Sequence, residues 1–139
     1  MKKSIYFLSV LILITLLFSA CKKGEIDSNS LIGKWRLDSQ IITSNGILSY
    51  RNIYAKENSY VYQFNLDNSY TLTYAFNDSI LEKGTYKLDS SQLFHQVIGV
   101  GFDSFGTDSC AISGNKLNLS DNGVDSNGNF TQTFFYTRL

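Results

Sequence analysis

The chain contains no proline, one histidine and two cysteines in 139 residues. Each scarcity excludes something. Proline is poorly tolerated in strand interiors, so its absence leaves long stretches free to enter a sheet. One His and two Cys cannot supply a four-ligand zinc site of the Cys/His type, and no metal or cofactor is expected. Neither sign of charge is in excess, with Lys+Arg 12 against Asp+Glu 12, which excludes a strongly basic nucleic-acid binder and a polyacidic tail. The longest apolar run, Ile5 to Phe18 broken by Ser9 and Thr15, is shorter than the roughly 20 residues a spanning helix needs. Beyond it, no window carries the i, i+3, i+4 apolar pattern with caps. With no helix expected there, no phosphate-cradling loop at a helix start is expected either.

What is present begins with an address. Met1-Lys2-Lys3, the apolar run and the small residues Ser19-Ala20 have the layout of a secretory leader. The segment Leu17-Phe18-Ser19-Ala20-Cys21 resembles a bacterial lipobox, with Phe18 where Leu is more usual. The resemblance implies transfer of lipid to the Cys21 thiol, cleavage after Ala20, and acyl chains such as palmitate holding the protein to a membrane. The expected organisation is a lipoprotein signal peptide over 1–20, a lipidated Cys and flexible tether over 21–30, and a folded domain over 31–139. The expected location is the bacterial cell envelope, at the outer membrane, facing the periplasm or the surface. With Cys21 lipidated, Cys110 has no intramolecular partner and reads as a buried structural thiol.

From Leu31 onward the pattern is that of strands. Gly33, Trp35, Leu37 and Ile41 fall on one face; Tyr60, Tyr62 and Phe64 alternate with Val61, Gln63 and Asn65; Tyr70, Leu72, Tyr74 and Phe76 alternate with Thr71, Thr73 and Ala75; Gly84, Tyr86 and Leu88 alternate with Thr85 and Lys87. Turn residues punctuate them at Asn45-Gly46, Asp67-Asn68, Asn77-Asp78, Asp89-Ser90-Ser91, Ser113-Gly114-Asn115, Asp121-Asn122-Gly123 and Asn127-Gly128-Asn129. The reading gives strands over 32–43, 47–55, 59–66, 69–77, 80–88, 92–102, 108–113 and 116–120, with a ninth over 130–139. Short connections make this an all-β antiparallel meander. Closing it into an up-and-down barrel removes exposed edges; a two-sheet β-sandwich is the alternative.

Leu31-Ile32-Gly33-Lys34-Trp35-Arg36-Leu37 carries the Gly-x-Trp signature of lipocalins. Phe64-Asn65-Leu66-Asp67-Asn68-Ser69-Tyr70-Thr71-Leu72, Gly84-Thr85-Tyr86-Lys87-Leu88, Gly114-Asn115-Lys116-Leu117-Asn118-Leu119 and Phe134-Phe135-Tyr136-Thr137-Arg138-Leu139 are similar to later strands of small bacterial lipocalin-like domains. The resemblance implies a lipocalin-like barrel, with Gly33, Trp35 and Arg138 packed together at one end, since in lipocalins a late Arg covers the Trp. Closure would bring the first and last strands side by side, and a guanidinium over an indole face attracts by about 0.5–2 kcal/mol. The body is short and has no C-terminal helix, so a filled interior stands as the alternative to a hollow one.

The chemistry-bearing residues are sparse. His95, in Leu93-Phe94-His95-Gln96-Val97, is the best catalytic candidate but has no motif around it, and the chain is not expected to be an enzyme. The polar run 121–129 lacks the first-position Asp and twelfth-position Glu of a calcium loop when Gly128 is set sixth. Asp67, Asp78, Asp89, Asp103, Asp108, Asp121 and Asp125 are expected mostly at turns, with no converging pair. The aromatic content, Tyr 9 and Phe 10, is the suggestive feature. Tyr60, Tyr62, Phe64, Tyr70, Leu72, Tyr74 and Tyr86 are candidates for lining a pocket, where Tyr offers an apolar wall with a polar tip. The functional expectation is a membrane-anchored binding module for a small apolar or amphipathic ligand. Its rival is a filled barrel that presents loops such as 43–58 and 121–129 to a protein partner.

Overall fold

A computed structural model describes residues 26–98, 104–126 and 128–139. The lipobox and Cys21 lie outside the described residues, as do 99–103 at the end of the sixth expected strand. A short helix α1 (Ser28–Leu31) precedes β1 (Gly33–Ser44), β2 (Ile47–Ile53), a single 3-10 turn (Lys56–Asn58), β3 (Tyr60–Phe64) and β4 (Ser69–Tyr74). Then come β5 (Ile80–Asp89), β6 (Gln92–Val97), β7 (Ser104–Ser113), β8 (Lys116–Asp125) and β9 (Gly128–Arg138). All pairings are antiparallel. The order β1-β3-β4-β5-β6-β7-β8-β9 returns to β1, giving a closed barrel of eight strands with β2 attached as a ninth.

The chain is therefore all-β and closes as a barrel, but it is not a simple meander. β1 is shared along one edge: its first half, Gly33 to Arg36, pairs with β3, and its second half, Ser39 to Ser44, pairs with β2. Its other edge pairs with β9 throughout, from Trp35↔Arg138 to Ser44↔Phe130. At the branch a bulge between Leu37 and Ser39 inserts Asp38. The carbonyls left between the two partners are satisfied from outside the ladder. The Ser59 hydroxyl donates to the Leu37 carbonyl, and the Tyr54 N–H donates to that of Asp38 at 2.9 Å. The hairpin β1–β2 turns on Asn45 and Gly46 with φ 50 and φ 78, the double positive φ that a two-residue hairpin turn demands.

Several expectations are corrected here. Ile41, expected on the Trp35 face, pairs with Thr133, whereas Gln40 pairs with Phe134; the bulge moves the inward face from odd to even positions. The strand expected to stop at 120 continues to Asp125, because Asp121, Asn122 and Gly123 pair with Gln132, Thr131 and Phe130. Ladder pairing with β9 overrides the turn propensity of those residues. Consequently the loops expected over 43–58 and 121–129 are largely strand. β4 ends at Tyr74, leaving Phe76 exposed in the following turn, and β7 begins at Ser104 rather than 108. Residues 26–30 were expected to be tether. Instead Ile26 packs on the core, and Asp27 caps α1 by accepting from the Asn29 N–H at 2.9 Å.

The interior is divided along its axis. At one end, where β1 and β4 start and β3 and β9 finish, the barrel is filled. Leu31, Trp35, Phe64, Tyr70, Leu93, Cys110 and Leu117 are buried there, with Trp35 fully enclosed. Burying one such side chain contributes about 1.5–3 kcal/mol. The Trp35 indole Nε1 donates to the Leu31 carbonyl at 2.7 Å, fixing α1 as a lid over this end. On the outside, Asp38 gathers Arg36 at 3.5 Å, Lys116 at 3.4 Å and the Thr137 hydroxyl, linking β1, β8 and β9 across the closure seam. Burial works against the Asp38 charge, but the hydrogen bonds from Thr137 and Lys116 and the two cations hold its carboxyl below the usual range.

Candidate functional site

The opposite end of the barrel is not filled. Above Leu37, Leu119 and Tyr136 lies a cavity of about 220 Å³, walled by Tyr54, Tyr60, Tyr62, Leu72 and Phe134, with Asp108 in its lining. Strand alternation explains the wall. Tyr60 and Tyr62 on β3, Leu72 on β4 and Phe134 and Tyr136 on β9 are every second residue, hence on the inner face. The rings form two contiguous runs. Tyr54, Tyr60 and Tyr74 meet in sequence, edge-on and then tilted, at centroid separations of 5.8 Å and 5.5 Å; Tyr62, Tyr136 and Phe134 follow in the same manner at 5.7 Å and 6.5 Å. The Tyr54 hydroxyl donates to Gln40 Oε1 at 3.0 Å, holding the residue after β2 over the rim.

Beneath the cup lies a polar layer. His95 Nδ1 stands 3.5 Å from Asp108 Oδ2. The Tyr70 hydroxyl donates to Glu82 Oε1 at 2.5 Å, and the Tyr70 ring meets the His95 ring edge to face at 6.2 Å. A void of about 10 Å³, no more than a single water's worth, is lined by Tyr62, Phe64, Tyr70, Leu93, His95, Asp108 and Leu119. Glycine makes room for this layer: a Cβ at Gly106 would lie 2.2 Å from His95 Nε2, so the imidazole occupies the space a side chain there would fill. Burial raises the Asp108 carboxyl, with help from the nearby charges of Asp121 and Glu82, and the attraction of His95 offsets only part of it. Burial likewise pushes the Tyr62 and Tyr136 phenols far up, so both are neutral hydroxyls at ordinary pH.

The candidate residues named from sequence separate into four groups. Tyr60, Tyr62 and Leu72 line the cup, and Tyr74 extends its ring wall. Phe64 and Tyr70 lie below, around the small void. Tyr86 lies deeper, its ring against Phe64 at 5.0 Å and its hydroxyl donating to the Asn65 carbonyl at 2.8 Å. At the sealed end the Arg138 guanidinium carbon sits 4.4 Å from the Trp35 ring centroid, and Nη2 donates to the Ser30 carbonyl; Gly33 opens β1 beside them with φ 132. Tyr54, Phe134, Tyr136 and Asp108 join the site although sequence reasoning did not place them there. Phe134 and Tyr136 carried a usable signal, the period of two in the last strand. Asp108, expected mostly at a turn, is mid-strand in β7, opposite Leu93.

No protein-family model matches this chain, and no curated protein matches it. Among the described residues no cluster of three or more His, Cys, Asp or Glu side chains has the arrangement to hold a metal ion, and no helix is long and apolar enough to cross a membrane.

Proposed function

We propose that this protein is a lipid-anchored envelope protein whose barrel binds a small amphipathic molecule in its open end. The observation that carries the binding reading is the division of the interior. One half is packed solid, while the other keeps an aromatic cavity of about 220 Å³ over a polar floor. An eight-stranded barrel is wide enough either to be filled by side chains or to hold one small ligand, and this one does each at a different end. A cavity of about 150 Å³ accepts benzene, whereas drug-sized ligands use roughly 300 Å³ or more. The occupant is therefore ring-sized, or longer and projecting through the mouth. The phenol tips and carboxylates supply the polar contacts that orient it. The proposal is of binding without catalysis, with His95 and Asp108 as floor. Anchoring is supported by the leader over 1–20 and the lipobox-like segment ending at Cys21.

Two experiments test it. Phenethyl alcohol titrated into the protein should shift resonances of the cup residues, and Leu72→Trp, which fills the cup, should abolish the effect; equal binding to the filled variant would refute the site. Cys21→Ser should release the protein from membranes or leave its leader attached. An unmodified Cys21 thiol in membrane-derived protein, read by mass spectrometry, would refute the anchor.

A second reading draws on β2. Its outer edge has no strand partner among the described residues, and Ile47, Leu48, Tyr50 and Ile53 are exposed along it. Such an edge can accept a strand from a protein partner. That reading requires that a proline in β2, at a position whose N–H faces outward, abolish association and leave the cup intact.

A further inference from the structure

The aromatic cup has a charge as well as a shape. Tracing the inward positions strand by strand, Glu82 on β5 pairs with Leu72, a cup residue; Asp108 on β7 pairs with Leu93; and Asp121 on β8 pairs with Gln132, two places from Phe134. The only cationic candidate among these is His95 on β6, beside Asp108. The Lys and Arg residues of the barrel strands alternate away from the interior: Lys83 and Lys87 flank the inward positions of β5, and Lys116 and Arg36 meet Asp38 on the outer surface. Arg138 faces inward but is spent at the sealed end on Trp35 and Ser30. Asp108 thus lines the cavity, with Glu82 behind it on the Tyr70 hydroxyl and Asp121 at an inward register position but exposed, against one imidazole. A second, independent feature points the same way. The wall is built of electron-rich faces, Tyr54, Tyr60, Tyr62, Phe134 and Tyr136, and rings around an acidic centre are what a desolvated organic cation prefers.

We infer that the ligand of this cup is an organic cation, an amine or quaternary ammonium on a ring-sized apolar body, with its charge directed at Asp108. This rests on the binding reading above and adds to it the sign of the ligand's charge. A neutral ligand would leave the Asp108 carboxylate to face an apolar neighbour, and an anion would meet it directly. A cation satisfies Asp108 while its apolar body covers the wall. The preference depends on pH through Asp108, which is faced by His95 from β6, Glu82 from β5 and Asp121 from β8, and by Tyr62, Tyr70 and Tyr136 from β3, β4 and β9, whose phenols stay neutral. Acidification protonates Asp108, whose carboxyl burial raises, and so removes the charge that holds a cation.

The test is a matched series on the full-length protein: phenethylamine, phenethyl alcohol and phenylacetate, which share a ring and differ in charge, with affinities read by calorimetry. The expected order is amine, alcohol, acid, with the amine about tenfold or more tighter than the alcohol at pH 7. Asp108→Asn should weaken the amine far more than the alcohol and so remove most of that advantage. Should that variant not fold, Glu82→Gln and a pH series decide. Phenyltrimethylammonium, whose charge does not titrate, should bind severalfold more weakly at pH 4 than at pH 7, while the alcohol stays constant. Equal affinities across the series, a preference for phenylacetate, or pH-independent binding of the quaternary cation would overturn the charge assignment and leave the cavity reading standing. Failure of every member, the alcohol included, would overturn both.

Discussion

Replacing Arg138 with Ala probes the sealed end, where two interactions and one unmet donor meet on a single side chain. The guanidinium lies 4.4 Å above the Trp35 ring, a cation–π contact of about 0.5–2 kcal/mol. It also donates to the Ser30 carbonyl, a charged hydrogen bond of about 1.5–3 kcal/mol. Against these stands a cost already present in the native state: Nε is buried with no partner, which penalises the arginine by about 1–3 kcal/mol. The backbone bonds Arg138 N–H to Asn115 carbonyl and Leu139 N–H to Lys34 carbonyl, each 2.9 Å, survive the substitution. Gains of about 2–5 kcal/mol less a penalty of about 1–3 centre the expected net loss on about 1.5 kcal/mol. Urea denaturation measures it as a lower midpoint at constant slope. A double-mutant cycle with Trp35→Phe should recover a coupling of about 0.5–2 kcal/mol, since the two side chains touch. A change within about 0.5 kcal/mol of wild type, the ordinary range of surface substitutions, would show that the arginine merely decorates a frayed terminus.

Leu117→Ala, at a position with 0% exposure, should destabilise the fold by about 2–5 kcal/mol in the same assay, because the filled half cannot collapse around the gap. Asp108→Asn should stabilise the protein at neutral pH. Burial raises the native carboxyl above its unfolded value, so the ionised form carries a cost that is present above the native pKa and relieved as pH falls through it. The gain in melting temperature should therefore shrink on acidification; a gain that grew instead would contradict the assignment. Cys110, buried with its thiol pushed up to about 11, should resist alkylation in the native state at pH 8 and react once the chain unfolds. Rapid native labelling would show that the closed half opens.

The strand pattern was legible because one period runs through most of the domain, and eight of the nine expected strands lie on a common closed sheet. What defeated the sequence was pairing over long distances. Ile41 looks inward by simple alternation, and nothing local announces that Asp38 is an extra residue; the bulge exists because β1 must serve two partners on one edge. Asp121-Asn122-Gly123 has the composition of a turn and becomes strand because Phe130, Thr131 and Gln132 lie opposite. The candidate site was half legible for the same reason. Tyr60, Tyr62 and Leu72 follow from alternation within their strands, whereas Asp108 enters the cup only through the closure of the sheet. His95 was visible as an isolated titratable residue, but its carboxylate partner was not.

The sealed end has a directional consequence. Ile26, Asp27 and Ser28 run beside Leu88, Asp89 and Ser90, so the described chain enters the barrel at its floor and the cup opens at the far pole. Were Cys21 to carry the proposed lipid, a few residues upstream in sequence, the barrel would stand on its closed base like a goblet on its stem, brim pointing into the aqueous phase. A ligand would then reach it from solution or from a carrier docking at the brim, never by sliding sideways out of the supporting leaflet. Lengthening the stem should accordingly leave loading rates unchanged, while crowding the brim should slow them.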